Sequence, residues 1–281
     1  MKLRDRPRRA ARPEPALSPV EGALEGRAGD SPSARPEPVE GRTARPAFYA
    51  LGSGGWRDYL TLLHPPYTAW HLSYVVLGAA LAPTVHYDRL GATLLAFFLG
   101  MGVSAHALDE LAGRPLGTHI PARVLWALAI GGLAGAIGLG LAGAVIVSPW
   151  LLAFVAIGAF IAPAYNLEWF RGRFHGDFWF ALAWGSFPFL TAYWASAERF
   201  DAAAPAGAIA VFALSLAQRS LSRRVRDLRR RARSVEGRVL YADGSTVDID
   251  RRWALAADER ALMLMAAAVV AIAVAALSAR A

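Results

Sequence analysis

Between residues 122 and 145 the chain reads ARVLWALAIGGLAGAIGLGLAGAV. A helix needs about 20 predominantly apolar residues to cross roughly 30 Å of hydrocarbon, and this run exceeds that. Six more apolar segments flank it, at roughly 67–84, 90–108, 148–166, 177–196, 205–219 and 259–279. Seven such runs in 281 residues predict an all-α, polytopic transmembrane bundle of about seven spans, not a soluble core. Ahead of the first span, Trp56 to Leu63 mixes Trp, Tyr and Leu with Arg57 and Asp58, which predicts a short interfacial helix before His64-Pro65-Pro66.

Outside the bundle the composition changes. Residues 1–55 are rich in Pro, Glu, Arg, Gly and Ser and repeat themselves, with ARPEP at 11–15 and 34–38 and PVEG at 19–22 and 38–41. Such a segment buries too little apolar surface to offset chain entropy, so a disordered, low-complexity tail is expected, followed by a helical domain over 56–281. The repeats resemble translated bacterial intergenic repeats, and the translational start is expected downstream of them. No apolar stretch of signal-peptide type opens the chain. Between 234 and 258, Arg238-Val-Leu-Tyr and Thr246-Val-Asp-Ile alternate around Asp243-Gly244, which predicts a small cytoplasmic β-hairpin.

Arginine placement sets the orientation. The loops after spans 2, 4 and 6 hold Arg114, then Arg171 and Arg173, then a dense series from Arg219 to Arg252, whereas the opposite loops hold only Arg89 and Arg199. The expected location is the bacterial cytoplasmic (inner) membrane, with the N-terminus cytoplasmic and the C-terminus outside. The net charge of +8 therefore lies beside membrane spans, which makes membrane lipid or phosphate the expected partner and not nucleic acid. The absence of cysteine excludes disulfides and thiolate chemistry.

Ionisable side chains at span ends mark candidate sites, and three clusters share the cytoplasmic side. At the end of span 2, His106, Asp109 and Glu110 are spaced i, i+3, i+4, a set that could hold a divalent cation. After span 4 come Tyr165, Asn166 and Glu168, and His175 and Asp177 precede span 5. Pooled, His106, Asp109, Glu110, Glu168, His175 and Asp177 offer two imidazoles and four carboxylates, enough for Mg²⁺ or another divalent metal. At the end of span 6, Arg219, Arg223 and Arg226 are spaced i, i+4, i+7, and guanidinium forks on one face suit a diphosphate. His71, one turn inside span 1, is a further cavity candidate. Within span 5, Trp184-Gly185-Ser186-Phe187-Pro188 predicts a bend or a cavity wall.

From His64-Pro65-Pro66-Tyr67 to the last span, the layout resembles the UbiA-type membrane prenyltransferase superfamily. The resemblance rests on Arg114-Pro115-Leu116 after span 2, Tyr165-Asn166 closing span 4, and Phe174-His175-Gly176-Asp177 leading into Trp184-Gly185-Ser186-Phe187-Pro188. It implies transfer from an isoprenyl diphosphate to a small or lipid acceptor, with Mg²⁺ held by Asp-rich motifs after spans 2 and 6. Of the first motif only Asp109 is kept, beside Ala105, His106 and Gly113. The second falls on Gln218, Arg219, Arg223 and Arg226, and two of the family's nine helices are missing.

Three readings follow. In the first, Arg114, Arg219, Arg223 and Arg226, with Tyr165 and Asn166, bind the diphosphate of an isoprenyl donor, and Asp109, Glu110 and Asp177 are the catalytic carboxylates. In the second, His106, Glu168, His175 and Asp177 hold a metal that activates water for hydrolysis. In the third, the chain is a non-catalytic UbiA-like lipid-binding scaffold with an unidentified protein partner.

Overall fold

The structure is a computed structural model that describes residues 45–281. The repeats and all of the expected tail before Arg45 lie outside the described residues. From Arg45 to Gly55 the chain is not a free tail. Ala47 and Ala50 are buried, and the Leu51 N–H donates to Thr61 Oγ1 at 3.1 Å.

All seven apolar segments are helical. The short α1 (Trp56–Leu62) precedes α2 (Pro65–Leu81), α3 (Tyr87–Leu111), α4 (Ala122–Ile146) and α5 (Leu151–Asn166). Then follow α6 (177–197), α7 (Ala203–Arg230) and α8 (Arg251–Ser278). The α7 helix runs well past Arg219 to Arg230, because nothing in Ser220-Leu-Ser-Arg-Arg-Val-Arg-Asp breaks it. The Asp250 side chain starts α8 by accepting the Trp253 N–H at 2.7 Å, a cap worth about 1 kcal/mol.

Between α7 and α8 the anticipated hairpin is present. Its strands β1 (Gly237–Leu240) and β2 (Thr246–Ile249) are antiparallel, with Leu240 opposite Thr246. Gly244 turns the chain at φ 83°, a conformation that side-chain-bearing residues rarely adopt.

Two helices are not uniform. Within α3, Phe98–Ala105 is π-helical, and within α6, Leu182–Ser186 is π-helical. The second has a local cause. Pro188 has no N–H for the Trp184 carbonyl and its ring would crowd that carbonyl, so a widened turn relieves both. The bend expected from Trp184 to Pro188 is thus realised as a wide turn.

The helices form two sub-bundles that share α6. In one, α2, α6, α7 and α8 close around Trp70, Tyr74, Phe189 and Tyr193, all fully buried. Here α2 and α6 approach so closely at Gly78 that a Cβ there would lie 2.2 Å from the Phe189 carbonyl oxygen. In the other, α3, α4, α5 and α6 line an apolar pocket of about 380 Å³ that is open at the bundle surface.

Four helices (α3, α4, α7 and α8) are long and apolar enough to cross a membrane, and α5 is apolar but shorter. Their outward side chains have no protein to cover them: Val145 is 88% exposed and Ile130 is 64% exposed. Lipid is the solvent such surfaces require, and the chain is an integral membrane protein.

Candidate functional site

Alternation of the helices gathers the start of α2, the ends of α3 and α5, the start of α6 and the far part of α7 at one end of the bundle. There they enclose a polar chamber of about 370 Å³. Of the residues singled out from sequence, His106 and Asp109 line it from α3, and Tyr165, Asn166, Glu168 and His175 from α5 and the loop beyond. Arg219 and Arg226 line it from α7, and His71 from α2. Glu110, Arg114, Asp177 and Arg223 do not.

Each excluded residue has a physical reason. Successive residues on a helix point about 100° apart, so Asp109 and Glu110 cannot face one chamber together. Glu110 is fully buried on the loop side, where its carboxylate accepts the N–H groups of Leu116 and Thr118 and the Thr118 hydroxyl at 2.8–3.0 Å. Arg114 donates to the carbonyls of Thr118 and Ile120 at 3.0 and 2.7 Å. Both shape the turn after α3, so the expected metal or catalytic role of Glu110 and the diphosphate role of Arg114 have no geometric support. Asp177, at the first turn of α6, is bonded to Arg219 and Arg223 of α7 and ties the two helices together.

The lining groups are oriented from behind. His106 Nδ1 is 3.0 Å from the Gly102 carbonyl, and His175 Nδ1 is 3.0 Å from the Tyr165 carbonyl. Because a carbonyl only accepts, each Nδ1 carries the proton and each Nε2 is left as an acceptor. The Asn166 side-chain amide donates back to Ala162 O at 2.7 Å, which commits one of its donors to its own helix. The Arg219 guanidinium lies over the Phe180 ring, 5.0 Å from its centroid, and Arg226 donates to Ser222 Oγ at 3.1 Å.

Several lining residues carry no sequence signal of their own. His64 stacks on His106 at 4.1 Å, and Tyr49 packs against His64 and Tyr67 at 5.3 and 5.4 Å. Tyr49 belongs to a strap, residues 45–50, anchored where Arg229 and Arg230 donate to the Arg45 and Pro46 carbonyls at 3.1 and 3.2 Å. Arg230 itself lines the chamber. Burial holds the His64 imidazole well below its ordinary pKa, helped by the nearby His106, Arg230 and Arg226, and burial raises the Tyr49 phenol.

Four residues of the lining carry a polar atom that is itself buried without a hydrogen-bond partner: His64 Nε2, His71 Nδ1, Tyr165 Oη and Gln218 Oε1. A buried polar group left unpaired costs about 1–3 kcal/mol. Three guanidinium groups face the chamber (Arg219, Arg226 and Arg230) against two carboxylates, Asp109 and Glu168. The chamber therefore favours an anion. It lies next to the apolar pocket, and Met101 and Trp184 line both. These two residues sit on the two π-helical turns.

The six-residue metal set is not assembled. Among the described residues no three His, Asp or Glu side chains converge closely enough to hold an ion. Glu110 and Asp177 are committed to contacts outside the chamber, which leaves His106, Asp109, Glu168 and His175 of that set on its wall. No protein-family model, no curated protein and no solved structure matches this chain.

Proposed function

We propose that this chain is a UbiA-like membrane protein that binds an isoprenyl diphosphate and transfers its prenyl group to a small or lipid acceptor. The observation that carries the reading is the adjacency of the two pockets. A chamber lined by three guanidinium groups lies beside a pocket walled by apolar side chains, with Met101 and Trp184 lining both. An amphiphile with an anionic head and an apolar chain satisfies both halves at once. In this reading α2 to α8 all cross the bacterial inner membrane, the shorter ones included. The arginine-rich end is cytoplasmic, with the N-terminus inside and the C-terminus outside.

Arg219, Arg226 and Arg230 neutralise the diphosphate, and the Tyr165 hydroxyl donates to it. As the allylic carbon–oxygen bond breaks, its electron pair leaves with the diphosphate, where the guanidinium charges stabilise it. The acceptor's nucleophilic atom bonds to the prenyl carbon, and its proton passes to the Asp109 carboxylate, the one carboxylate of the family motif that faces the chamber. No step is assigned to Mg²⁺.

The test is binding and turnover of radiolabelled farnesyl diphosphate by protein in lipid nanodiscs, with and without Mg²⁺. Wild type is expected to retain the ligand, and Arg226→Ala to weaken binding at least about tenfold, the loss of one charge-assisted contact. Equal retention by wild type and Arg226→Ala, or no retention by wild type, overturns the reading. A non-catalytic lipid-binding scaffold is a second reading, favoured by arginines standing where the family has its second acidic motif. Binding without diphosphate release when membrane lipid is supplied as acceptor would decide for it.

A further inference from the structure

The α5 helix is short for a membrane span. Its 16 residues rise about 24 Å at 1.5 Å per residue, some 6 Å less than roughly 30 Å of hydrocarbon. Along one of its faces Leu152, Ala156, Ile157 and Phe160 are exposed, a stripe that only lipid can cover.

The stripe does not stop where the helix does. It continues onto the loop after Asn166, where Trp169 and Phe170 pack against Phe160 at 6.3 and 6.4 Å. These two rings remain 42% and 65% exposed. Phe174 stands behind them, 5.2 Å from Phe160 and 4.8 Å from Trp179. Arg171 and Arg173, both exposed, follow directly. The backbone holds these tips out at a cost. Phe170 and Arg171 have φ of 55° and 61°, and left-handed values cost a side-chain-bearing residue about 1–2 kcal/mol each. Such strain persists where the surroundings offset it. Burying a Phe side chain contributes about 1.5–3 kcal/mol, so a surface that covers the bare rings is large enough to do so.

We propose that residues 169–173 are inserted in the phospholipid leaflet at the arginine-rich end of the bundle. Trp169 and Phe170 lie among the upper acyl carbons, and Arg171 and Arg173 lie on anionic headgroup phosphates. The insertion supplies the apolar length that α5 lacks, and the rings are continuous with the stripe that lipid already covers. The same loop is a wall of the polar chamber, because Glu168 and His175 line it. The Gly172 N–H donates to the Glu168 carbonyl at 2.8 Å, and the His175 N–H to the Gly172 carbonyl at 2.9 Å. The leaflet therefore helps to place both side chains. This inference rests on α5 crossing the membrane and is independent of what the chamber binds.

The chain has no cysteine, so a single introduced thiol carries the only label. Trp169→Cys, Phe170→Cys, Ile157→Cys and Asp243→Cys, each labelled with bimane, are placed in nanodiscs of phosphatidylcholine and phosphatidylglycerol. A nitroxide near the ester or near the chain end of one lipid quenches from the bilayer, and iodide quenches from water. Both loop labels should lose at least about half their emission to the shallow nitroxide and resist iodide, since interfacial apolar groups lie about 5–10 Å inside the headgroup boundary. The Ile157 label should answer to the deep nitroxide, and the Asp243 label, on the hairpin turn, to iodide alone. The shallow nitroxide should quench the loop labels more when carried on phosphatidylglycerol than on phosphatidylcholine, and Arg171→Gln with Arg173→Gln should remove that difference. Loop labels that behave like the Asp243 label overturn the proposal. So do loop labels that answer to neither quencher, which would put protein, a second copy included, over the rings. An Ile157 label unmoved by the deep nitroxide takes α5 out of the bilayer and the insertion with it. Equal quenching from the two lipids overturns the assignment to anionic headgroups.

Discussion

The two sub-bundles share α6 yet are packed to opposite ends. Around α2, α6, α7 and α8, Trp70, Tyr74, Phe189 and Tyr193 are fully buried, and backbones meet closely at Gly78. Around α3, α4, α5 and α6, the same kinds of helix leave a void of about 380 Å³, and Phe187, two residues from Phe189, stands half-buried on its wall. Apolar side chains between transmembrane helices gain nothing by leaving lipid for protein, so association there depends on close packing and hydrogen bonds. One half is organised to hold the protein together, and the other to leave room.

Substitution at the two phenylalanines tests that division most sharply. Phe189→Ala should cost about 3–5 kcal/mol, the range for truncating a fully packed aromatic side chain, whereas Phe187→Ala should cost only about 1 kcal/mol. Unfolding in mixed detergent micelles measures both, and equal losses would abolish the distinction.

A smaller effect separates neighbours on one helix. Glu110→Ala strands the Leu116 and Thr118 N–H groups and should destabilise by about 2–3 kcal/mol. Asp109→Ala, facing the chamber, should leave unfolding close to wild type while reducing turnover. The reverse pattern would mean that the roles of these two carboxylates are exchanged.

Acid should loosen the chamber end by less. The folded state holds His64 neutral, with its pKa lowered, while the unfolded chain takes up a proton near the ordinary value of about 6.5. The unfolded state then binds more protons, so stability from this group is intact above that pH and declines as pH falls below it. A melting temperature that drops between pH 7.5 and 5.5, with a shallower drop in His64→Asn, is expected. An identical slope in both proteins would assign the acid sensitivity elsewhere.

The smallest effect belongs to the hairpin. Its strands pair chiefly with each other, and Leu240 and Tyr241 lie exposed. Replacing residues 237–249 with a flexible linker should change stability by less than about 0.5 kcal/mol and leave ligand binding unaltered.

Much of this architecture is legible in the chain itself. The seven helices follow from apolar runs, and the hairpin follows from Asp243-Gly244 between alternating residues. His106, Asp109, Tyr165 and Arg226 stand out as candidates because ionisable and hydrogen-bonding groups are costly at span ends, and all four line the chamber. Other features are not, for identifiable reasons. Tyr49 sits in a segment whose composition is that of the tail, and only its contacts with His64 and Tyr67 give it a place. Glu110 and Asp109 are chemically alike, and only the direction of each around the helix separates a loop brace from a chamber wall. Arg230 is one arginine in a long series. Met101 and Trp184, which line both pockets, sit on two wide turns, and only that at Trp184 has a local cause, in Pro188.

Those wide turns have a consequence for how the protein can change. A π turn carries one residue more than the α-helix would, so on α3 it offsets the helix faces on either side of Phe98–Ala105. Before it, Ala92, Ala96 and Phe97 address the apolar cavity; after it, His106 and Asp109 address the polar chamber. Loss of a single residue within that turn would swing His106 and Asp109 by about 100° and leave the preceding face where it is. Substitutions can tune either cavity separately, but a one-codon deletion here would uncouple them. Variation in length within Phe98–Ala105 is therefore the change this chain should tolerate least, even where the composition of the turn is free to drift.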